Sequence, residues 1–465
     1  MSTLRNVTLG QGSSRRTFLR RAALAGLGAA SAGSLLSACG SGKPGSQTSS
    51  GSPSGGAVGS RVLTVSFYDW ILNLHPAIEQ EINPEFSKEM PVEAKVAPVQ
   101  GFGIDRFVAE AKDKTSSWDV YVGMTPFVEM TALVEAGVIE PWDEYIPKDV
   151  LADFIPAVRE EGYYKGKLYG WPFLLDIIIQ GWNKDLAGKA GLDPAQAPKT
   201  WDEFIAFSAK VKTSGVAPFG CVFDAHGWRS LAPITHSIDT NCYTEEGLFD
   251  FTHPAAVEAL EIMRRMFELS PPNVLNPGTS DGGVNDTPDE GAFAAVRAAY
   301  YIKYQNAFLR FGNKWPDPSH LAMAALPKTE KGAGGTVFWD TGAALFRHGT
   351  NKKEAAKYLS VLTRDERIWR HSIAGGREAV GQVPVYQSIW SRWEKQRPEW
   401  MTDWAFLVRE QLKHSKAIKN HKFGLTQFSL GQPHWEKYIT GETKDPKAAL
   451  AAAKDAVMTE VKKAG

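Results

Sequence analysis

The sequence predicts an α/β protein divided into two lobes, on three observations. At 465 residues the chain is too long for one compact core. Short apolar runs of strand character alternate with stretches of helical period, the pattern of βαβ units around a parallel sheet. Third, residues 162–185 read as a crossover between lobes. There Lys165-Gly166-Lys167 is a turn signal between aromatic runs and predicts a short hairpin. Pro172 disfavours helix at Trp171 and does not suit a central ladder, so 169–175 is extended. Ile177-Ile178-Ile179 is a β-branched run suited to a buried strand. Between them stands Asp176. A lone ionised carboxylate in an apolar interior costs several kcal/mol, so Asp176 is expected at the mouth of a groove.

The N-terminus reads as targeting sequence, residues 1–38. Ser14-Arg15-Arg16-Thr17-Phe18-Leu19-Arg20 is a twin-arginine signal. The Ala- and Gly-rich segment that follows is too short and weakly apolar to span a membrane. It ends in Leu36-Ser37-Ala38-Cys39, which resembles a lipobox and makes Cys39 the lipidation site. Residues 39–60 are Gly, Ser, Pro and Thr with almost no apolar content, and act as a tether. The leader holds five Arg and no acid, so the remainder carries 47 basic against 52 acidic residues, a net of −5. That balance excludes nucleic-acid binding and a polybasic membrane patch. Export would place Cys221 and Cys242 in an oxidising compartment, where they could pair or remain two buried thiols.

In the body, 61–67 is a first strand that ends in Tyr68-Asp69-Trp70. Ile78, Ile82 and Phe86 recur at helical spacing, with Pro84 expected to kink or break the helix. Strands at 92–99 and 118–122 alternate with helices at 102–112 and 127–135. In open α/β sheets ligands lie beyond the carboxyl ends of the strands, which sets Tyr68, Asp69, Trp70, Asp119 and Thr125 on one rim with Asp176. After the crossover, Thr200 caps a helix with Glu203 as its capping-box partner. A strand at 216–223 leads to a polar loop holding His226, Trp228 and Arg229. Helices follow at 254–269 and 289–296, and a strand at 298–302 runs into Lys303 and Tyr304. Strands at 320–326 and 337–346 precede a helix at 351–363 and a helical tail.

This order of pieces resembles the extracellular solute-binding proteins of ABC importers, in the branch that includes maltose-binding protein. The resemblance covers most of 61–390. Its most specific parts are Asn183-Lys184-Asp185, Gly191-Leu192 and Pro198-Lys199-Thr200-Trp201-Asp202-Glu203-Phe204, in order and at the usual spacing. Val296-Arg297-Ala298-Ala299-Tyr300 departs from the family, which often has Gly, a basic residue and Met there. The resemblance implies a type II periplasmic-binding fold with two discontinuous α/β lobes, each a mixed sheet flanked by helices. One lobe would be 61–176 with 319–365, the other 177–318 with 366–465. It also implies that Asp176, nine residues before Asp185, bonds sugar hydroxyls, that Asp119 is the family's loop carboxylate, and that Tyr68, Asp69 and Trp70 meet ligand.

Fifteen Trp supply faces for sugar rings or organic cations. Trp70 beside Asp69 and Trp339 beside Asp340 pair an aromatic face with a carboxylate; each could equally be a core Trp with a surface Asp. Trp228, Tyr301 and Lys303 complete the candidate ligand contacts. Of enzyme motifs, only Gly278-Thr279-Ser280-Asp281-Gly282 fits G-x-S-x-G, and it lies in a Pro/Gly loop rather than a strand-turn-helix elbow. Walker A, H-E-x-x-H and paired-Cys metal patterns are absent from the sequence. The expectation is a monomeric, lipid-anchored receptor without cofactor or metal that delivers a mono- or oligosaccharide to an ABC permease. Alternatives are a polyamine or organic cation, a glycerophosphodiester, or, from another class, a secreted glycoside hydrolase with two opposed carboxylates.

Overall fold

The computed structural model describes residues 61–90, 92–97, 104–276, 287–374 and 376–464. The leader, Cys39, the tether and the Gly278–Gly282 motif lie outside these residues, as does the side chain of Asp69. The strands in chain order are β1 (Arg61–Phe67), β2 (Val92–Val96), β3 (Val120–Met124), β4 (Ile139–Glu140), β5 (Tyr163–Tyr164) and β6 (Lys167–Leu168). They continue with β7 (Trp171–Asn183), β8 (Phe219–Phe223), β9 (Ala298–Tyr304), β10 (Leu321–Ala324), β11 (Val337–Phe346) and β12 (Lys416–Ala417).

One mixed sheet has the order β2-β1-β3-β11-β7-β9-β8. Its outer strands are parallel, β1 to β2 and β3, and β8 to β9. The alternation of strands and helices foretold these βα pieces. It did not foretell β11 and β7, which run antiparallel to each other, to β3 on one side and to β9 on the other, and carry the chain between the halves. Helices flank the sheet, as the fold class requires.

Strand β7 joins the halves. All thirteen of its residues are buried. Its first half pairs with β11 up to Ile177, and its second half pairs with β9 from Ile178 and with β10 from Gln180. At the handover the side chain of Gln305, the residue after β9, completes the ladder. Its Nε2 donates to Leu175 O (2.8 Å), and its Oε1 accepts from Ile177 N (2.7 Å). A buried backbone N–H or C=O left unpaired would cost as much as a lost hydrogen bond, so this side chain stands in for a strand.

Pro172 does enter a central strand, contrary to the sequence expectation. The register of β11 shifts opposite it, between Thr341 and Ala343, so the missing N–H falls at a bulge. Gly342 lets the strands approach there: a Cβ would collide with the Trp171 carbonyl oxygen and Asp340 Oδ2. The next amide, Phe173 N, donates to Asp340 Oδ1 (2.7 Å) rather than to a backbone oxygen.

Local signals were accurate where local chemistry decides. Lys165 (φ 49°) and Gly166 (φ 77°) are both left-handed in the turn between β5 and β6, as a two-residue hairpin of that handedness requires. Thr200 and Glu203 form the full capping box on Trp201–Ser214. The helix containing Pro84 is not broken. A π-helical turn, Ile78–Ile82, runs directly into an α-helix, Asn83–Glu89, with Pro84 at its second residue, so the irregularity the proline brings falls at the π turn. Cys221 and Cys242 are separate buried thiols, so the disulfide considered from sequence is not formed.

Gly342→Ala should lower stability by about 2–3 kcal/mol, read as a reduced urea midpoint, because overpacking at the bulge must move β7 or Asp340. An unchanged midpoint would show that the bulge does not need glycine.

Candidate functional site

Period 2 along β7 and β11 sets Asp176 directly opposite Trp339, on the same face of the sheet. Trp339 meets Trp228 edge to face at 5.1 Å and Tyr304 at 5.6 Å, while Trp228 also contacts Phe127 at 5.4 Å. These rings arrive from four segments: β11, the 3-10 turn Gly227–Arg229, the end of β9 and the turn after β3.

Polar groups ring this aromatic set. The helix Gln305–Gly312 begins where β9 ends and places Asn306 and Arg310 four residues apart on one face. Asn306 Nδ2 donates to Asp176 Oδ1 at 2.5 Å, and Gln382 Nε2 donates to Asp176 Oδ2 at 3.0 Å. Arg310 donates to the Tyr304 hydroxyl at 3.0 Å. The Arg229 guanidinium lies 4.1 Å over the Trp228 ring and 5.0 Å from that of Tyr304. The buried Nε groups of Arg229 and Arg310 have no hydrogen-bond partner among the described residues. Burial pushes the Asp176 carboxyl up to about 6; the two amide donors and the positive charges of Arg310 and Arg229 pull it back. Asp176 is therefore largely ionised at neutral pH, with one protein donor on each oxygen and lone pairs to spare. Carboxylate, amides, guanidinium groups and aromatic rings together can accept from, donate to and stack against a polyhydroxylated ligand.

The sequence candidates fall into separate groups. Asp176, Trp228 and Trp339 come together. Tyr68 and half-buried Trp70 contact each other at 6.1 Å at the carboxyl end of β1. Thr125 follows β3; its hydroxyl reaches that of Thr341 at 3.4 Å, and its amide donates to Glu129. Asp119 is placed apart, because β3 begins after it and its residue precedes the strand. Its carboxylate accepts from Thr64 N, Thr350 N, Asn351 N and Asn351 Nδ2, which occupies its acceptor sites in tying three segments together. Asp340 is committed to the bulge at Pro172; burial, and the nearby charge of Asp176, raise its carboxyl well above the usual range against the pull of Phe173 N.

Tyr301 and Lys303 lie on the opposite face of β9 from Tyr304 and are fully buried. Lys303 bonds Asp224, Asp289 (3.0 Å) and Glu290 (3.2 Å), and the Tyr301 hydroxyl donates to Asp289 at 2.5 Å. Burial alone would lower the Lys303 pKa; the three carboxylates raise it instead. Asp224 also binds His226 (2.7 Å) and Arg229 (3.3 Å). This ion cluster is thus the support behind Arg229. Sequence reasoning missed Tyr304, Asn306, Arg310 and Gln382. Strand alternation distinguishes Tyr304 from Lys303, and i,i+4 spacing links Asn306 with Arg310; Gln382 carried no local signal.

The family model described as bacterial extracellular solute-binding protein matches residues 73–367. A protein of Brucella abortus (strain 2308) is 27% identical over 248 residues, covering 51% of this chain and 56% of its own length. The mannitol-binding protein of Pseudomonas aeruginosa is 24% identical over 257 residues, covering 53% and 56%. The chain thus spans about half the length of these curated relatives. Among solved structures, the cyclic α-maltosyl-1,6-maltose binding protein of Arthrobacter globiformis matches with a TM-score of 0.67 at 20% identity, over 87% of this chain and 100% of the other.

Lys303→Met should destabilise the protein by about 3–5 kcal/mol in urea unfolding, since it leaves buried carboxylates without their cation. A loss under about 1 kcal/mol would mean the cluster is not ionised as described. A second test uses Glu129, whose carboxyl burial pushes up to about 8 against the donors Thr125 N and Tyr121 OH. Its contribution is fully present below pH 4.5, the ordinary value, and is lost as pH rises through about 8. Glu129→Gln mimics the protonated acid and should make the protein more stable than wild type at pH 8 by about 4 kcal/mol, with the difference vanishing near pH 4.5. Parallel stability profiles for the two proteins across this range would refute the assignment.

Proposed function

The chain belongs to the bacterial extracellular solute-binding protein family, and from that premise we propose that it is the substrate receptor of an ABC importer for a neutral sugar or sugar alcohol. The observation that carries this reading is the pairing of Asp176 with Trp339, ringed by Trp228, Tyr304, Asn306, Gln382 and Arg310. Ligand hydroxyls donate to Asp176, ring oxygens or hydroxyls accept from Arg310, and CH faces rest on the aromatic rings. Mannitol-binding and cyclic maltosyl-maltose-binding proteins among the similar proteins support this ligand class. Arg229 and Arg310 beside Asp176 argue against a polyamine, which would meet like charge. The same two guanidinium groups favour a glycerophosphodiester as the second reading, since their unpartnered Nε groups could donate to phosphate oxygens.

In this reading, 61–176 with 319–365 and 177–318 with 366–465 act as lobes that close on ligand about β7. The protein leaves the cell by the twin-arginine route and is held on the outer face of the membrane, as a monomer, by lipid on Cys39. Among the described residues no helix is long and apolar enough to cross a membrane. The closed lobes present themselves to a permease, and no bond is broken in the ligand.

A thermal-shift screen of the mature protein against D-mannitol, maltose, glycerophosphocholine and spermidine tests the reading. A rise in Tm with mannitol or maltose, abolished by Asp176→Ala and by Trp339→Ala, is expected. A rise with spermidine alone, or hydrolysis of a bound glycan, would overturn it, and a rise with glycerophosphocholine alone would select the second reading.

A further inference from the structure

Beside the candidate site, a chain of polar side chains runs from His75, which none of the candidate ligand contacts includes, through Gln382 to Asp176. His75 Nε2 lies 3.3 Å from Gln382 Oε1, and Gln382 Nε2 lies 3.0 Å from Asp176 Oδ2. His75 and Gln382 are buried, His75 at the end of the helix Asp69–Leu74 and Gln382 in the extended segment after Glu366–Ala374. Gln382 has little freedom in its backbone: Ser372 Oγ donates to its carbonyl at 2.7 Å, and its neighbour Val383 bridges Leu175 of β7. Only its side-chain amide could turn over.

The protonation pattern follows from donor counting. An ionised carboxylate only accepts, so the amide end facing Asp176 must be NH2. That leaves the carbonyl Oε1 facing His75, and Oε1 also only accepts. His75 Nε2 must then carry the hydrogen. Burial keeps the ring neutral by pushing its pKa down to about 4, so Nδ1 is bare; it is buried and has no partner among the described residues.

We propose that His75 is a positioning residue of the ligand site: by donating through Nε2 it locks the Gln382 amide so that Asp176 meets ligand as an acceptor only. A turned-over Gln382 would set a carbonyl oxygen against the carboxylate, remove one of its two donors and favour its protonated form. The site would then lose its demand for a ligand hydroxyl donor. The assignment of ligand class rests on the function proposed above, but the His75 lock itself does not.

The lock is testable without ligand. Histidine 15N correlation spectra of the whole mature protein at pH 7 should show His75 neutral and protonated at Nε2; protonation at Nδ1 would overturn the proposal. Next, the 13C-detected titration of Asp176 should move to higher pH in His75→Leu and return to the wild-type midpoint in His75→Gln, whose amide restores a donor. The groups that act on Asp176 besides Gln382 are Asn306, Arg310 and Arg229, and Asp340 senses its charge; His371, 6.3 Å from His75, acts on that ring. None is altered in these variants. An unmoved Asp176 midpoint in His75→Leu, or a shift that His75→Gln fails to reverse, would overturn the lock. If His75→Leu does not fold, the tautomer and His75→Gln still decide. Affinity for D-mannitol or maltose should fall about tenfold in His75→Leu, the loss of one charged hydrogen bond, and stay within about twofold in His75→Gln. Binding of neither sugar by the wild type would sink the proposed ligand class while leaving the tautomer and titration results to judge His75.

Discussion

The structure depends on a single strand that must be buried along its whole length while its neighbours change. β7 is flanked by β11 over its first half and by β9 and β10 over its second. Every backbone N–H and C=O along it needs a partner, and water is not available to supply one. Two side chains meet the shortfall: Gln305 at the handover between neighbours, and Asp340 at the bulge that admits Pro172. The candidate site forms beside that handover. Asp176 precedes the last residue paired with β11, and Asn306 follows directly on Gln305.

Burial and charge are balanced differently on the two faces of β9. On one face, Lys303 with Asp224, Asp289 and Glu290 form a closed ion cluster from which solvent is excluded. On the other, Tyr304 joins Trp339, and Arg229 lies over its ring. Arg229 belongs to both, because Asp224 holds it at 3.3 Å while its guanidinium lies on Trp228. A guanidinium anchored to a buried carboxylate loses little entropy when a ligand arrives, which is the condition for a pre-organised site. Asp176 is treated in the opposite way. It has neutral amide donors and, among the described residues, no contact cation, so its burial is incompletely compensated and its carboxyl rises to about 6. Ligand hydroxyls would supply the missing donors.

Residue patterns picked out three side chains that the fold brings together, without distinguishing a surface from its support. Asp176 was legible because a lone carboxylate between apolar runs is unusual in a core, and Trp228 and Trp339 because each stands beside a charged residue at a strand end or loop. Asp119 was misplaced because the strand was read two residues early. With β3 starting at Val120, Asp119 falls before the strand instead of near its carboxyl end, and its partners Thr350 and Asn351 lie more than 200 residues away. Tyr301 and Lys303 were assigned to the ligand and belong to the core, since Asp224, 79 residues away, and Asp289, 14 residues away, both close on Lys303. Gln382 and His75 were invisible, because their meaning is a relay of donors and acceptors that exists only when three segments meet.

By itself the sequence determined the α/β class, most strands, the hairpin at Lys165-Gly166 and the capping box of Thr200 and Glu203. These follow from periodicity, turn chemistry and contacts within a few residues, all of which the linear order contains. Tertiary structure alone decided that β7 and β11 are antiparallel, that Pro172 sits inside a sheet, that the two Cys stay apart, and which charged residues are supports. Each of these depends on partners distant in sequence, and a buried polar group takes its role from whichever partner satisfies it.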